Sequence, residues 1–310
     1  MRKLAIRLTP LLILALIGGT LGCAEGEDTT PTPTATATAT PIETATVTPT
    51  PIVSPIPAPQ LRVHFIDVGQ GDAILLDLEE TEVLIDGGGR SSGVVEYLRD
   101  YVDGPLEGMI ATHPGADHIG GLIDVLAAFE VDAIWRNGQD YYMQAYRDFT
   151  SAVNSEGAGV KWARRGDVIT VGDLTFEVLH PVEPVFDDIN NGSIVLALSY
   201  GQIDFLFAGD AEREAEADML VQSIVQMPDV DIFKVGRHAS RTASSLDFLR
   251  VIRPEIAIYM AGEGNTYGHP HRETLSRLED IGAEVYGTDV DGTITVVTDG
   301  EEYIVYSSPN

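Results

Sequence analysis

The segment THPGADHIGG places His113, Asp117 and His118 within six residues. Imidazole nitrogens and carboxylate oxygens are ligands that zinc, manganese and iron all accept. Gly115, in the middle, has no side chain to offer. Taken alone, the cluster reads equally well as a helix start, with Asp117 accepting N–H bonds of the first turn. Further along, Asp210 closes the apolar run FLFAG, His180 lies in VLHP, His238 in KVGRHAS, and His269 and His271 in YGHPH. Each is ambiguous by itself; Asp210, for one, fits a cap for the helix AEREAEAD. Position joins them. Six of the seven histidines follow predicted strand ends, and loops carried on rigid strands are where active sites collect. The chemistry such a set supports is hydrolysis by water activated on a divalent cation.

The elements that must hold these residues follow from periodicity. RVHFIDVGQGDAILLDL alternates and then runs apolar, predicting two strands around a glycine turn, and TEVLIDGG adds a third. SSGVVEYLRDY predicts a helix with a serine available as cap. LEGMIATH predicts a buried strand ending at His113, HIGGLIDVLAAF a helix, VDAIW a strand and DYYMQAYRDFTSAVNS a helix. The second half repeats this style. LTFEVLHP, GSIVLALSY, IDFLFAGD, VDIFKVG and EIAIYMAG read as strands; AEREAEADMLVQSI, TASSLDFLRVI and HRETLSRLEDIG read as helices. AEVYGT, GTITVVTD and EYIVYSS are closing strands. Hairpins first and strand-helix alternation afterwards predict two sheets with helices outside.

The front of the chain belongs to another regime. Arg2, Lys3 and Arg7 precede a short apolar run ending near Cys23, the only cysteine among 310 residues. This is the plan of a secretory signal over residues 1–22, too short for a comfortable membrane span. It resembles a bacterial lipoprotein signal, which implies lipidation at Cys23 and an extracytoplasmic, membrane-attached protein; simple release is the alternative. Residues 23–60 are rich in Pro and Thr and lack Tyr, Phe and Trp, the composition of a disordered spacer. Three of the 19 basic and four of the 48 acidic residues precede Leu61, leaving a charge near −28 on residues 61–310. Such a field repels nucleic acid over long range, yet leaves room for cation-assisted phosphate binding in a cleft.

HFIDVGQGDAILL, THPGADHIGGL, NNGSIVLAL, FLFAGD, DIFKVGRHAS and YGHPH, in that order, resemble the metallo-β-lactamase-type hydrolase domain, more closely its ComEC/Rec2 competence-protein version. The resemblance spans Leu61 to Pro309. It implies an α+β fold, a four-layer αββα sandwich, with one or two divalent metal ions (Zn or Mn) between the sheet edges. By it, Asp117, His118, Asp210 and His269 form one metal shell. His113, Asp210 and His180 form a neighbouring shell that lacks a ligand at Gly115. Asp117 or Asp210 would orient water, and His238 would stabilise the attacked group or protonate the leaving group. Lys234, Arg237 and Ser240 would contact a substrate phosphate, with Asp67 or Asp86 behind the ligating histidines. Competence proteins of this kind also carry a multi-helix channel, which is not seen in these residues, so translocation is not expected. The expected function is an extracytoplasmic metal-dependent hydrolase of phosphodiesters, with single-stranded DNA as a candidate substrate. Hydrolysis of another ester or amide, or a degenerate binding module, are the alternatives.

Overall fold

Alternation of apolar side chains builds the two sheets. In β1 (Leu61–Phe65) Val63 and Phe65 enter a central core that β2 (Ile74–Leu78) fills with Ile74 and Leu76, and β3 (Thr81–Ile85) with Val83 and Ile85. The intervening Leu75 and Leu84 face the opposite side. This period of two is what a pleated strand imposes. A computed structural model describes residues 59–221 and 230–308 of the chain. The expected signal segment, Cys23, nearly all of the Pro/Thr-rich stretch and the end of the predicted AEREAEADMLVQSI helix lie outside the described residues.

The first sheet continues through β4 (Gly108–Ala111), β5 (Ala133–Arg136) and the edge strand β6 (Gly159–Trp162). β7 (Val168–Val171), β8 (Leu174–His180), β9 (Val195–Tyr200), β10 (Ile203–Phe207), β11 (Ile232–Lys234), β12 (Ile256–Tyr259) and β13 (Glu284–Gly287) form the second. β14 (Thr293–Thr298) and β15 (Tyr303–Ser308) return to the first. The strand orders are β15-β14-β1-β2-β3-β4-β5-β6 and β13-β12-β11-β10-β9-β8-β7. In both sheets antiparallel hairpins pass into parallel crossovers, at β3–β4 and at β10–β11.

Helices cover both outer faces. α1 (Val94–Leu98), α2 (Ala116–Leu126) and α3 (Gln144–Glu156) bury Leu98, Leu122 and Phe149 against Leu84, Met109 and Ile134 of the first sheet. α4 (Arg213–Val221), α5 (Leu246–Ile252) and α6 (Arg272–Asp280) bury Met219, Phe248 and Leu278 with Leu206, Phe233 and Ala257 of the second. The expected four-layer αββα sandwich is therefore what forms. Sheet-on-sheet and helix-on-sheet burial together form the three apolar cores.

Three local readings change. Gly93, not a serine, caps α1, and the Ser92 hydroxyl donates to the Gly87 carbonyl. Ser245 does cap α5, accepting from the Phe248 N–H. The strands β6 and β7 and a helical turn, α7 (Thr288–Asp291), were not anticipated. All four residues of β6 are exposed, so it carries none of the alternation that marks a half-buried strand.

Candidate metal centre

The loops at the carboxyl ends of β3, β4, β10 and β11 meet at one point between the two sheet edges, with the glycine turn after β1. His113 comes from the β4–α2 turn, and Asp117 and His118 from the first turn of α2. Asp210 follows β10, and His238 follows β11 in a tight turn. There Arg237, His238 and Ala239 have φ of 45°, 51° and 60°. Three successive non-glycine residues in the left-handed region store strain, which is common where a side chain must be aimed into a site.

Three of these groups make one buried set with Asp72, from the glycine turn after β1. Asp72, His118, Asp210 and His238 each offer a nitrogen or oxygen within 4.8 Å of the others. Asp210 Oδ1 is 3.2 Å from His118 Nε2 and 3.4 Å from His238 Nε2. Asp117 Oδ2 approaches His238 Nε2 at 3.4 Å from the cleft side. His118 Nε2, His238 Nε2 and Asp210 Oδ1 are all buried and take part in no hydrogen bond of good geometry. Ligands about 2.1 Å from a tetrahedral cation lie roughly 3.4 Å apart, so the spacing of these unsatisfied atoms fits a divalent cation. Buried polar atoms left without partners are otherwise costly.

The far edge of each imidazole is held. His118 Nδ1 lies 2.8 Å from Asp86 Oδ2, which also accepts from the Thr112 hydroxyl at 2.6 Å. His238 Nδ1 donates to the Met260 carbonyl at 2.9 Å, with Asp72 Oδ1 at 3.3 Å. Fixing the proton at Nδ1 leaves each Nε2 lone pair facing the centre. Asp86 is thus the expected supporting carboxylate. Asp67 instead ties its own turn, accepting from the Gly69 N–H at 3.0 Å. Asp72, overlooked in the sequence, faces the Nδ1 edges of both rings and pairs with buried Lys234. The signal was present: DVGQGD ends on an aspartate after Gly71, whose φ is +132° and whose Cβ would fall 2.1 Å from the Asp117 carbonyl oxygen. Only glycine lets the two loops approach so closely.

Electrostatics agree with this geometry. Burial opposes the charge on His118, but Asp210, Asp86 and Asp72 overcome it and hold the ring's pKa well above its ordinary value. The same contest, with Asp210 and Asp72 outweighing burial, lifts His238 to about 9. Burial would raise Asp210, yet His238 and His118 hold it well below the carboxylate range. Asp117 is likewise lowered, burial being outweighed by His238 and His118. Four carboxylates around two imidazoles and one ammonium make a strongly cation-attracting interior, in which protons and a metal ion compete.

Capping is excluded as the role of Asp210. The amide N–H groups of Glu212 and Ala215, at the start of α4, donate to Asn191 Oδ1 at 3.1 and 3.2 Å. Asn191 does that work, and Asp210 is free for the centre. Other expected site residues separate. Burial lowers His180 to about 4; its Nε2 lies 2.7 Å from the Asn191 carbonyl and its Nδ1 3.8 Å from Asp218. Its Nε2 is held by the protein and it lies outside the buried donor group, so the structure places His180 apart from the centre. Lys234 is buried and committed to Asp72 and the Gly209 carbonyl, and the Ser240 hydroxyl is bound to Thr242 at 2.9 Å. Neither lines the cleft that holds Asp117 and Asp210. Arg237 does line the cleft, although its guanidinium pairs with Glu212 and Thr242. His269 lines the same cleft of about 120 Å³, its ring 5.8 Å from that of His238 and stacked on Tyr267. Burial and the neighbouring His238 lower His269 to about 4.

A two-sheet sandwich with aspartates and histidines gathered at the sheet edges defines a metal-binding protein of the hydrolase type. The chain belongs to the metallo-beta-lactamase superfamily, whose family model matches residues 66–263. It is 29% identical over 262 residues to ComE operon protein 3 of Bacillus subtilis, covering 78% of this chain and 34% of that protein. It is 30% identical over 246 residues to Recombination protein 2 of Haemophilus influenzae, covering 77% of this chain and 29% of that protein. The chain thus spans about a third of these relatives. Among solved structures, the metallo-beta-lactamase fold protein YhfI from Bacillus subtilis superposes with a TM-score of 0.52 at 13% identity, covering 74% of this chain and 96% of that one. No helix among the described residues is long and apolar enough to cross a membrane.

Proposed function

We propose that this chain is an extracytoplasmic, metal-dependent phosphodiesterase, acting on small phosphodiesters and on single-stranded DNA. The observation that carries this reading is the cleft itself. Asp117, Asp210 and His238 line it together with Arg237, a cation suited to phosphate oxygens. A divalent cation held by His118, His238 and Asp210 would supply Lewis acidity and a water of lowered pKa. The protein's own groups do the rest. Asp117, beside His238 Nε2, would accept a hydrogen bond from the attacking water and orient it; as the new P–O bond forms the bond to the leaving oxygen breaks, and that oxygen takes up the water's proton. Arg237 neutralises a non-bridging phosphate oxygen, exchanging its contact with Glu212. The acidic surface disfavours long duplexes and leaves short or single-stranded substrates.

The test is turnover of bis-p-nitrophenyl phosphate and single-stranded oligonucleotides by the purified full chain with Mn²⁺ or Zn²⁺, beside a chromogenic lactam and p-nitrophenyl acetate. Cleavage of the first pair, abolished by chelator, is the expected result. Cleavage of the lactam or carboxylic ester alone would reassign the substrate, and no turnover on any arm would remove the hydrolase reading.

The location rests on the amino-terminal sequence: a signal, a cysteine and a spacer. Cys23→Ser is expected to move the protein from the membrane fraction to the soluble extracytoplasmic fraction. Unchanged partitioning would remove the lipid anchor.

A further inference from the structure

We infer that this centre takes one divalent cation per chain, and that His113 is a packing residue over Gly115 rather than a ligand of a second ion. The inference rests on reading the Asp/His cluster as a metal centre. Three unsatisfied atoms converge on one side of Asp210: its own Oδ1, with His118 Nε2 and His238 Nε2 at 3.2 and 3.4 Å. On the other side, His113 Nε2 stands farther off, 4.0 Å from Asp210 Oδ2. Among the described residues, the group of three or more donors that could hold a cation is Asp72, His118, Asp210 and His238, and His113 is not in it.

The reason lies at Gly115. A Cβ built there would fall 2.4 Å from His113 Nε2 and 3.1 Å from both Cδ2 and Cε1. The imidazole tip therefore covers the α-carbon of residue 115, in the space where any side chain would begin. Its other nitrogen, Nδ1, is 3.2 Å from the Thr112 hydroxyl, which itself donates to Asp86. The His113 ring is also packed against His118, with centroids 4.2 Å apart. His180, the remaining candidate for a second shell, has its Nε2 bonded to the Asn191 carbonyl and its Nδ1 3.8 Å from Asp218, and it too is outside the donor group. A second ion would thus have His113 and one oxygen of Asp210, fewer than the three protein ligands that zinc sites ordinarily use.

The full chain, loaded with Mn²⁺ and dialysed, is to be assayed for bound metal by mass spectrometry and electron paramagnetic resonance. One ion per chain, with the hyperfine pattern of an isolated ion at saturation, is expected. His113→Gln should retain that ion, whereas His238→Gln should lose it at the same free Mn²⁺. Two ions per wild-type chain with an exchange-coupled spectrum would overturn the inference. So would loss of the ion from His113→Gln with native circular dichroism. If that variant does not fold, the wild-type stoichiometry decides alone. No uptake at all would overturn the metal centre and the inference with it, while one bound ion without turnover removes only the hydrolase.

Discussion

Asp210→Asn should lower phosphodiester turnover about a thousandfold and weaken the hold on the cation in parallel. The carboxylate is the common counter-charge of His118 and His238, at 3.2 and 3.4 Å, and it is buried. Asparagine keeps the shape and the backbone bond from the Asp210 N–H to Ser193 Oγ, so packing changes little. What goes is the charge. Cation-assisted stabilisation of a transition state is worth several kcal/mol, and a loss of about 4 kcal/mol is roughly a thousandfold in rate. A second readout separates this from simple damage. In the metal-free protein His238 is raised to about 9, with Asp210 the leading charge that raises it against burial. In the variant the His238 titration should shift downward, as proton resonance of the imidazole would report. Turnover within tenfold of wild type, with native metal content, would remove Asp210 from the centre.

Lys234→Met carries the largest expected effect on stability. The ammonium is buried, pairs with Asp72 and donates to the Gly209 carbonyl at 2.9 Å. Removing one member of a buried ion pair leaves the other uncompensated, at a cost of about 3–5 kcal/mol. At roughly 2–4 °C per kcal/mol for a domain of this size, Tm should fall by about 6–20 °C. Adding Asp72→Leu should restore part of that loss, because an apolar pair of similar volume can replace a buried ion pair. Recovery should be incomplete, since Asp72 also faces His118 and His238. Calorimetry of the metal-free single and double variants measures both effects. A Tm shift below about 2 °C for Lys234→Met would show that the pair carries no such charge balance.

Much of this architecture is legible along the chain, because burial writes its own period. In LRVHF and IDFLF every second residue enters the central core, and the helical stripes of α2 and α5 match one outer face. The order of the polar clusters after strand ends was enough to name His118, Asp210 and His238 as site residues. Residues whose environment is set by distant chain were not legible. β6 lies at an edge, fully exposed, and so leaves no pattern. Asp72 sits in a glycine turn whose approach to Asp117 depends on α2 arriving beside it.

Roles, more than membership, were decided by tertiary contact. Lys234, next to KVGRHAS, has the charge for a substrate phosphate, yet β11 carries it inward to Asp72. Asp210 could have capped α4 until Asn191, from a separate loop, took the two amides. His180 ends a strand as His113 does, but its neighbours are Asn191 and Asp218 rather than the cluster. Residue types and their order specify which donors exist, since side-chain chemistry is local. Which donors share one point depends on how two twisted sheets pack and which loop reaches each atom first. That is a property of the folded chain, and Gly115 shows it: a gap in the sequence, it lies in three dimensions beneath the ring of His113.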